Sequence, residues 1–203
     1  GFRRLENHEK FKDIIPYYIA QIYYKQGKYD DVISYTPPLL DSASTKRAPE
    51  LARLLGESYY RTNRYKESVP YLEKYKQGVG AAAVKREDKY QLAYAYFKSE
   101  NYDKAIELFK PLAGTNDSIS QICLYNLGEA YLKKNEKSNA LNFFKAASQH
   151  DFDKELQENS LFSYAKLAYE TSFDPHFNAV EAFWEYYDKF PNYQRKDEVL
   201  AYL

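Results

Sequence analysis

Apolar and small residues recur at spacings of three and four along most of the chain, and short polar breaks separate these stretches. Clear examples are Leu55-Gly56-Tyr59, Leu92-Ala93-Tyr96 and Leu127-Gly128-Tyr131. Such spacing places one apolar stripe along a helix. The breaks read KQGKYD, RTNRYK, KSENYD and KKNEKS. A second apolar stripe follows each break, for example ALNFF after KKNEKS. The pattern therefore predicts pairs of helices joined by tight turns.

The helix pairs return at a nearly constant interval. The residues before each break are Tyr23-Tyr24, Tyr59-Tyr60, Tyr96-Phe97, Tyr131-Leu132 and, more weakly, Ala168-Tyr169, so the steps are 36, 37, 35 and 37 residues. A fixed period in this range is typical of a solenoid. We expect one solenoid over 1–203, with units at 12–45, 47–80, 83–115, 118–151 and 155–191 and partial helices at 2–11 and 195–203. Since neither end has a polar cap, we expect a piece of a longer array.

Three sets of small or polar residues indicate how the two helices of each pair are joined, capped and packed. Gly27, Asn63 and Asn135 stand at corresponding places in the breaks and suit the left-handed backbone that ends a helix. Asp30, Asp103 and Ser138 are expected to cap the helices that follow. Small residues are expected where paired helices approach closely: Ala20, Gly56, Ala93, Gly128 and Ala165 on the first helices, and Val32, Ser68, Ala105, Ala140 and Ala179 on the second. Phe144 is expected to be buried beside them.

These features resemble the tetratricopeptide repeat over nearly the whole chain. The stretches LLGESYYRTNRYKESVPYLEKY, LAYAYFKSENYDKAIELFKPL and LYNLGEAYLKKNEKSNALNFFKAA carry the resemblance. It implies an all-α fold, a right-handed α-solenoid of stacked antiparallel helix pairs. Two departures stand out. Pro37-Pro38 is expected to end the second helix of the first unit early, and SFDPHF at 172–177 is inserted between the helices of the fifth unit.

Composition narrows the classes of function. Lys+Arg and Asp+Glu both number 29, so no net charge attracts a nucleic acid. This balance, with the Gly or Ala of the small positions, also disfavours the pentatricopeptide repeat, which has a similar period and binds single-stranded RNA. No run of 18 apolar residues predicts membrane insertion. The interpretation is of a protein or peptide binder, with self-association left open.

Catalytic and metal-binding chemistry is not predicted. His8, His150 and His176 fall in different units and lack the short helical spacing of a metal site. Cys123 has no companion base in the sequence and is interpreted as a structural thiol. The sequence contains no phosphate-binding glycine loop and no nucleophile elbow. We therefore expect no enzyme, no cofactor and no metal in these residues.

The resemblance implies a concave binding surface lined by the first helix of each unit. The residues carried over to it are Tyr17, Gln21, Tyr24, Arg53, Glu57, Tyr60, Tyr90, Tyr94, Phe97, Tyr125, Glu129, Lys133, Phe162, Lys166 and Tyr169. Aromatic rings dominate, and the basic clamp that some family members use for a C-terminal carboxylate is missing. Rigid Tyr rings suit a helical or extended peptide laid along the surface. The alternative is a glycan-binding surface protein, because sugars also stack on aromatic rings.

A second resemblance concerns origin. FWEYYDKFPNYQRKDEVLAYL resembles a phrase of bacterial envelope repeat proteins, which implies a bacterial periplasmic or outer-membrane-associated parent. The triplets Asp41-Ser42-Ala43 and Asp117-Ser118-Ile119, both expected in loops between repeats, resemble O-glycosylation sites of Bacteroidetes envelope proteins. The alternative interpretation is that these Asp and Ser residues cap helices.

Overall fold

The computed structural model describes residues 14–42, 47–171, 175–191 and 195–203, and all regular secondary structure within these ranges is helical. The chain divides into two compact units, Gly1–Asn101 and Tyr102–Leu203, which are described in turn. The predicted partial helix at 2–11 lies outside the described residues, as do residues 172–174 of the SFDPHF insertion.

The first unit contains six described helices. They are α1 (Ile15–Lys25), α2 (Tyr29–Tyr35), α3 (Pro37–Ser42), α4 (Ala48–Arg61), α5 (Tyr65–Val79) and α6 (Arg86–Lys98). Helix α4 packs against α5, and α2 packs against both α1 and α4. As predicted, α2 stops just before Pro37-Pro38, and the chain continues after Thr36 as the separate helix α3. Leu51, Leu54 and Leu55 of α4 lie at the centre of the core.

The second unit also contains six described α-helices. They are α7 (Tyr102–Phe109), α8 (Ser118–Lys133), α9 (Lys137–Ser148), α10 (Lys154–Thr171), α11 (Pro175–Lys189) and α12 (Lys196–Leu200), with a 3₁₀ turn at Lys110–Leu112. Helix α9 packs between α8 and α10, and α11 packs on α10. Buried amides join these helices. Gln121 Nε2 donates to the carbonyl oxygens of His150 and Asp153 at 3.0 and 2.9 Å, and Gln157 Nε2 donates to Ser148 O at 2.9 Å.

The predicted small positions are buried at helix contacts. A Cβ atom added to Gly56 would lie 2.8 Å from Leu72 Cδ2, and one added to Gly128 would lie 2.6 Å from Phe144 Cδ1. The Phe144 side chain is fully buried, which confirms the prediction for that residue. Complete burial is shared by the alanines at these positions: Ala20, Ala93, Ala105, Ala140, Ala165 and Ala179. A larger residue at any of these places would force the paired helices apart.

The turns after the first helices have the predicted left-handed backbone. The φ angles are +72° at Gly27, +59° at Asn63 and +59° at Asn135. Glu100 has the corresponding place in the third break and adopts φ of +63°. The same turn geometry is therefore imposed on a residue that does not favour it.

The predicted helix caps are wrong. Asp30, Asp103 and Ser138 each lie inside the first turn of a helix that begins one residue earlier. Asp30 and Asp103 instead form ion pairs with basic residues in the polar break of the following repeat. Arg64 pairs with Asp30, and Lys134 Nζ lies 2.6 Å from Asp103 Oδ1. An acidic residue in the first turn still stabilises the helix through its favourable interaction with the helix dipole. Asp30 and Asp103 therefore stabilise the helix starts without capping them.

Candidate partner-binding surface

The candidate surface of the first unit contains a charged network that is satisfied within the protein. The Tyr24 hydroxyl donates to Glu57, and Arg53 Nη1 donates to the other oxygen of that carboxylate at 2.5 Å. The Arg53 guanidinium also binds Glu50 with both arms, at 2.5 and 3.0 Å. Burial, followed by the neighbouring Glu57 carboxylate, raises the pKa of the Tyr24 hydroxyl above its ordinary value. The network therefore joins α1 to α4 through three of the predicted residues.

Tyr17 and Gln21 form a smaller pair on α1. Gln21 Nε2 donates to the Tyr17 hydroxyl at 2.6 Å, and the Arg47 guanidinium lies 5.7 Å from the Tyr17 ring centroid. The neighbouring Tyr18, which was not among the predicted residues, is 46 % exposed and packs its ring edge-on against Tyr17.

Four predicted aromatic residues come together on α4 and α6. The ring centroid of Tyr94 lies 6.0 Å from that of Tyr60, 5.9 Å from Tyr90 and 6.1 Å from Phe97. Tyr65 of α5 completes the group at 5.3 Å from Tyr60 and 5.7 Å from Tyr94. These five residues are called the tyrosine cluster. Burial is the main reason that the pKa of the Tyr60 hydroxyl is raised, so the ring stays neutral.

Sequence analysis missed Tyr65, although a signal for it exists. The breaks KQGKYD, RTNRYK and KSENYD each contain a Tyr at the start of the second helix. Tyr29 contacts Tyr24 at 5.6 Å in the same manner as Tyr65 contacts Tyr60. The break Tyr of the first two repeats therefore belongs to the aromatic surface.

In the second unit, three predicted residues line one pocket with a volume of about 300 Å³. They are Tyr125 of α8 and Phe162 and Lys166 of α10. The other lining residues are Leu132, Phe144, Asn159, Ser163, Leu167, Glu170 and Arg195. Two cations flank the Phe162 ring, with the Lys166 Nζ atom 5.9 Å and the Arg195 guanidinium 4.7 Å from its centroid.

The remaining predicted residues of the second unit lie outside the residues that line the pocket. Glu129 and Lys133 are one turn apart on α8, and burial raises the pKa of the Glu129 carboxyl while Lys133 partly opposes the rise. Tyr169 is 44 % exposed at the end of α10 and packs edge-on against Tyr202, with 5.1 Å between ring centroids. The structure therefore places the candidate residues in several local groups within the two units.

Arg195 is a second residue that sequence analysis missed. Its Nη1 atom lies 3.4 Å from Oε1 of Glu158, a carboxylate of α10 that is 4 % exposed. The Tyr186 hydroxyl donates to the same oxygen. These contacts join residues that are 28 and 37 positions apart in the chain, and the repeat pattern does not predict them.

The structure also tests the chemistry assigned to single residues. Cys123 is fully buried on α8, as expected of a structural thiol. His150 Nδ1 lies 3.2 Å from Asn116 Oδ1. Across the described ranges, no three His, Cys, Asp or Glu side chains form a group able to hold a metal ion. In the same ranges, no helix combines the length and apolar character needed to cross a bilayer.

The first triplet begins inside a helix and not in the predicted loop, whereas Asp117 of the second triplet is the last residue of the loop before α8. Asp41 and Ser42 form the end of α3, and Ala43 lies outside the described residues. Asp117 is the N-cap of α8, where its Oδ1 accepts from Ser120 N at 2.8 Å, and Ser118 begins that helix. The capping interpretation is therefore confirmed for Asp117.

Comparison with solved structures finds helical repeat proteins of low sequence identity. YrrB, described as a TPR protein with an unusual peptide-binding site, has a TM-score of 0.72 at 15% identity, covering 99% of this chain and 98% of that chain. A mutant form of MamA has a TM-score of 0.67 at 17% identity, covering 91% and 95%. A putative kinesin light chain of Podospora anserina, a protein with nearly identical TPR-like repeats, has a TM-score of 0.57 at 16% identity, covering 90% and 94%. A search of curated proteins found no match.

A sequence model described as tetratricopeptide repeat matches residues 17–83 and 90–153, which together exceed half of the chain. With the structural similarities, this match confirms the predicted all-α solenoid class and excludes the pentatricopeptide alternative as the family. Repeats of this kind generally act as non-enzymatic scaffolds that bind other proteins. The chain belongs to the tetratricopeptide repeat family.

Proposed function

We propose that this chain is a scaffold that binds a peptide segment of a partner protein on the aromatic surfaces of its first helices. In the second unit, the pocket beside α8 and α10 receives an apolar side chain of that peptide. The observation that carries the proposal is the convergence of Tyr125, Phe162 and Lys166 on this one pocket. All three belong to the concave surface that the sequence predicts.

The size and lining of the pocket suit a peptide side chain. Its volume of about 300 Å³ is at the lower end of the range for small-molecule pockets, so it has room for one or two side chains. Tyr125, Leu132 and Phe162 provide an apolar lining. Asn159 and Ser163 add polar groups that can bind the peptide backbone. An apolar anchor surrounded by polar groups is the usual arrangement of a binding hot spot.

The tyrosine cluster supports a similar role for the first unit. Its rings are partly exposed and pack against one another with about 6 Å between their centroids. Because this packing already restricts the side chains, they lose little conformational freedom when a peptide binds. The network of Tyr24, Arg53 and Glu57 then acts indirectly, because it fixes α1 against α4. A peptide-binding site described for YrrB, which has the same fold, also supports the proposal.

A peptide selection with matched variants tests the proposal. Random peptides displayed on phage are selected against the 203-residue chain, and the affinity of an enriched peptide is measured by fluorescence anisotropy. We expect Tyr125→Ala to weaken binding at least about tenfold and Lys166→Ala about threefold. Lys154→Ala is the control, since Lys154 is also an exposed α10 lysine with one long ion pair, 3.4 Å against 3.6 Å for Lys166. Unchanged affinity in both pocket variants, with circular dichroism showing a native fold, would refute the pocket as the peptide site.

The glycan-binding alternative gives a different result in the same experiment. Trp184 is 50 % exposed and lies 6.0 Å from Tyr187 between ring centroids, but this pair is on helix α11 and not on a loop. If no peptide is enriched and a glycan array gives a signal that Trp184→Ala removes, the alternative is the better account.

The proposal also includes the cellular compartment of the parent protein. The resemblance of FWEYYDKFPNYQRKDEVLAYL to bacterial envelope repeat proteins supports a parent associated with the bacterial periplasm or outer membrane. Fractionation of the native cells, with the full-length parent detected by antibody, tests this: recovery in the cytoplasmic fraction alone would contradict it.

A further inference from the structure

Glu129 lies at the edge of the pocket in the second unit. Tyr125, Glu129 and Leu132 stand at positions i, i+4 and i+7 of α8, and residues at this spacing share one side of a helix. The outer two residues of this row line the pocket. Glu129 itself is partly exposed, so its carboxylate borders the space that the proposed peptide occupies.

The Glu129 carboxylate has no partner of its own. No hydrogen bond or ion pair reaches it from any residue that the structure describes, and Lys133 acts on it from one helical turn away. Burial raises the pKa of Glu129, and Lys133 offsets only part of this rise. The carboxylate has therefore lost water without gaining a donor, which is an unfavourable state for a charged group.

Glu57 shows how the same position is satisfied in another repeat. Glu57 and Glu129 both stand three residues before the second residue of the pair that precedes the break. Glu57 is only 5 % exposed. It accepts from the Tyr24 hydroxyl of the preceding repeat and from Arg53, one turn earlier on α4. A hydroxyl and a guanidinium thus complete this carboxylate within the protein.

Both donors are replaced at the corresponding places for Glu129. Tyr125 stands at the place of Arg53 and brings no positive charge. Phe97 stands at the place of Tyr24 in the preceding repeat and has no hydroxyl. The position therefore has a carboxylate without either donor, and a cation supplied by a ligand is the group that completes it.

The charged side chains among the described pocket residues already have partners within the protein. The pairs are Lys166 with Glu198, Glu170 with Lys137 and Arg195 with Glu158, with N–O distances of 3.6, 3.4 and 3.4 Å. A ligand gains little from a charge that is already paired. Glu129 is therefore the group at this edge of the pocket that distinguishes a charged ligand from a neutral one.

We propose that Glu129 binds a lysine or arginine side chain of the partner peptide while the pocket holds an apolar side chain of the same peptide. The inference rests on the proposed peptide-binding function and names its ligand class in the second unit. Because Glu129 is one turn from Tyr125, the two side chains start about 5–6 Å apart. The basic residue of the peptide is thus two positions from the apolar residue in an extended peptide, or three to four positions in a helical one.

Parallel peptide selections test the inference. Random peptides displayed on phage are selected against the wild-type chain and against Glu129→Gln, which removes the charge and keeps the shape of the side chain. In the wild-type pool we expect Lys or Arg to be enriched at one of these spacings from an apolar residue. In the Glu129→Gln pool we expect the apolar residue without the basic one.

A double-mutant cycle then measures the pairing itself. The first probe is the most enriched wild-type peptide, and in the second probe its basic residue is replaced by Gln. By fluorescence anisotropy, Glu129→Gln is expected to bind the basic probe about tenfold more weakly than the wild type does and to change the affinity for the Gln probe less than about twofold. Glu155→Gln is the control, because it removes the same charge from an exposed site on α10 outside the pocket lining; its effect on either probe should stay below about twofold.

Stability separates binding from structural support. Glu129→Gln removes an unpaired charge, so it is expected to unfold at a higher urea concentration than the wild type and yet to bind the basic probe more weakly. A residue that only supports the fold would lower stability and affinity together, and that result would overturn the inference. Equal weakening of both probes, or a wild-type pool without basic enrichment, would also overturn it.

The proposed function and this inference fail separately. Loss of affinity in Tyr125→Ala supports the pocket as the peptide site whatever Glu129→Gln does. A selected peptide that depends on Tyr125 and not on Glu129 leaves the scaffold role intact and refutes the pairing. If no peptide is enriched against the wild-type chain, both are refuted.

Discussion

Replacement of Gly128 by Ala tests the packing of paired helices directly. A Gly-to-Ala change inside a helix usually stabilises a protein, whereas here we expect it to lower the free energy of unfolding. In the middle of a helix, Ala is about 0.5–1 kcal/mol more favourable than Gly. Gly128 lies inside α8, so helix propensity alone predicts that the substitution stabilises the protein. Any destabilisation must therefore come from the surroundings.

The magnitude follows from the contact with Phe144. The added Cβ would lie 2.6 Å from Phe144 Cδ1 and 2.7 Å from Cε1, whereas two carbon atoms prefer about 3.5–4.0 Å. The ring is fully buried, so it can retreat only by shifting its neighbours. Overpacking of this kind costs about 1–3 kcal/mol, and after the gain in propensity we expect a net loss of about 1 kcal/mol.

Urea unfolding followed by Trp184 fluorescence measures this change, because the single Trp of the chain lies in the same unit as Gly128. Gly114→Ala is the control: nothing lies within 4 Å of its added Cβ, and we expect a change within about 0.5 kcal/mol. Phe144→Leu replaces the ring by a smaller aliphatic side chain. It should therefore lower the free energy of unfolding less in the Gly128→Ala background than in the wild type. Stabilisation of about 1 kcal/mol by Gly128→Ala would refute the packing argument.

Three further changes test other parts of the structure. Glu100→Gly is expected to raise the free energy of unfolding by about 0.5–1 kcal/mol, since Glu100 holds φ of +63°; a loss in urea unfolding monitored by circular dichroism would contradict this. Arg53→Ala is expected to cost about 2 kcal/mol in the same assay, because the buried Glu57 loses a charged hydrogen bond; a change below about 0.5 kcal/mol would show that the network is unimportant. Burial raises the pKa of Glu129 above its ordinary 4.5, so the folded state binds its proton more tightly and stability falls as pH rises through that raised pKa. Glu129→Gln should therefore be more stable than the wild type at pH 7, and the difference should shrink as the pH is lowered towards 4; a constant difference would exclude titration of Glu129 as the cause.

The helix pairs and their close contacts were predictable because local rules determine them. A tight turn needs a left-handed residue, and paired helices need small residues where they meet, so Gly27, Gly56 and Gly128 identify these places without tertiary information. The helix caps were misjudged by two residues. The N-caps of α2 and α9 are Lys28 and Glu136, whereas Asp30 and Ser138 were predicted, because short-range patterns fix helix ends only approximately.

The candidate surface was less predictable because its side chains also bind one another. Glu57 lies in a position that should face a partner, yet it is buried against Tyr24 and Arg53. Arg195 reaches Phe162 from 33 positions along the chain. Such contacts depend on the packing of particular side chains, whereas the repeat pattern indicates only the face of the helix on which a residue lies.

Site-specific photocrosslinking tests the central claim most directly. Benzoylphenylalanine is placed either at Tyr125, which lines the pocket, or at Phe152, which is 49 % exposed in the same unit and outside the pocket lining. Each protein is irradiated with a phage-selected peptide, and mass spectrometry locates the crosslink. The account predicts that the crosslinker at position 125 attaches to an apolar residue of the peptide and that position 152 gives little product. Efficient crosslinking from position 152 and none from position 125 would contradict it.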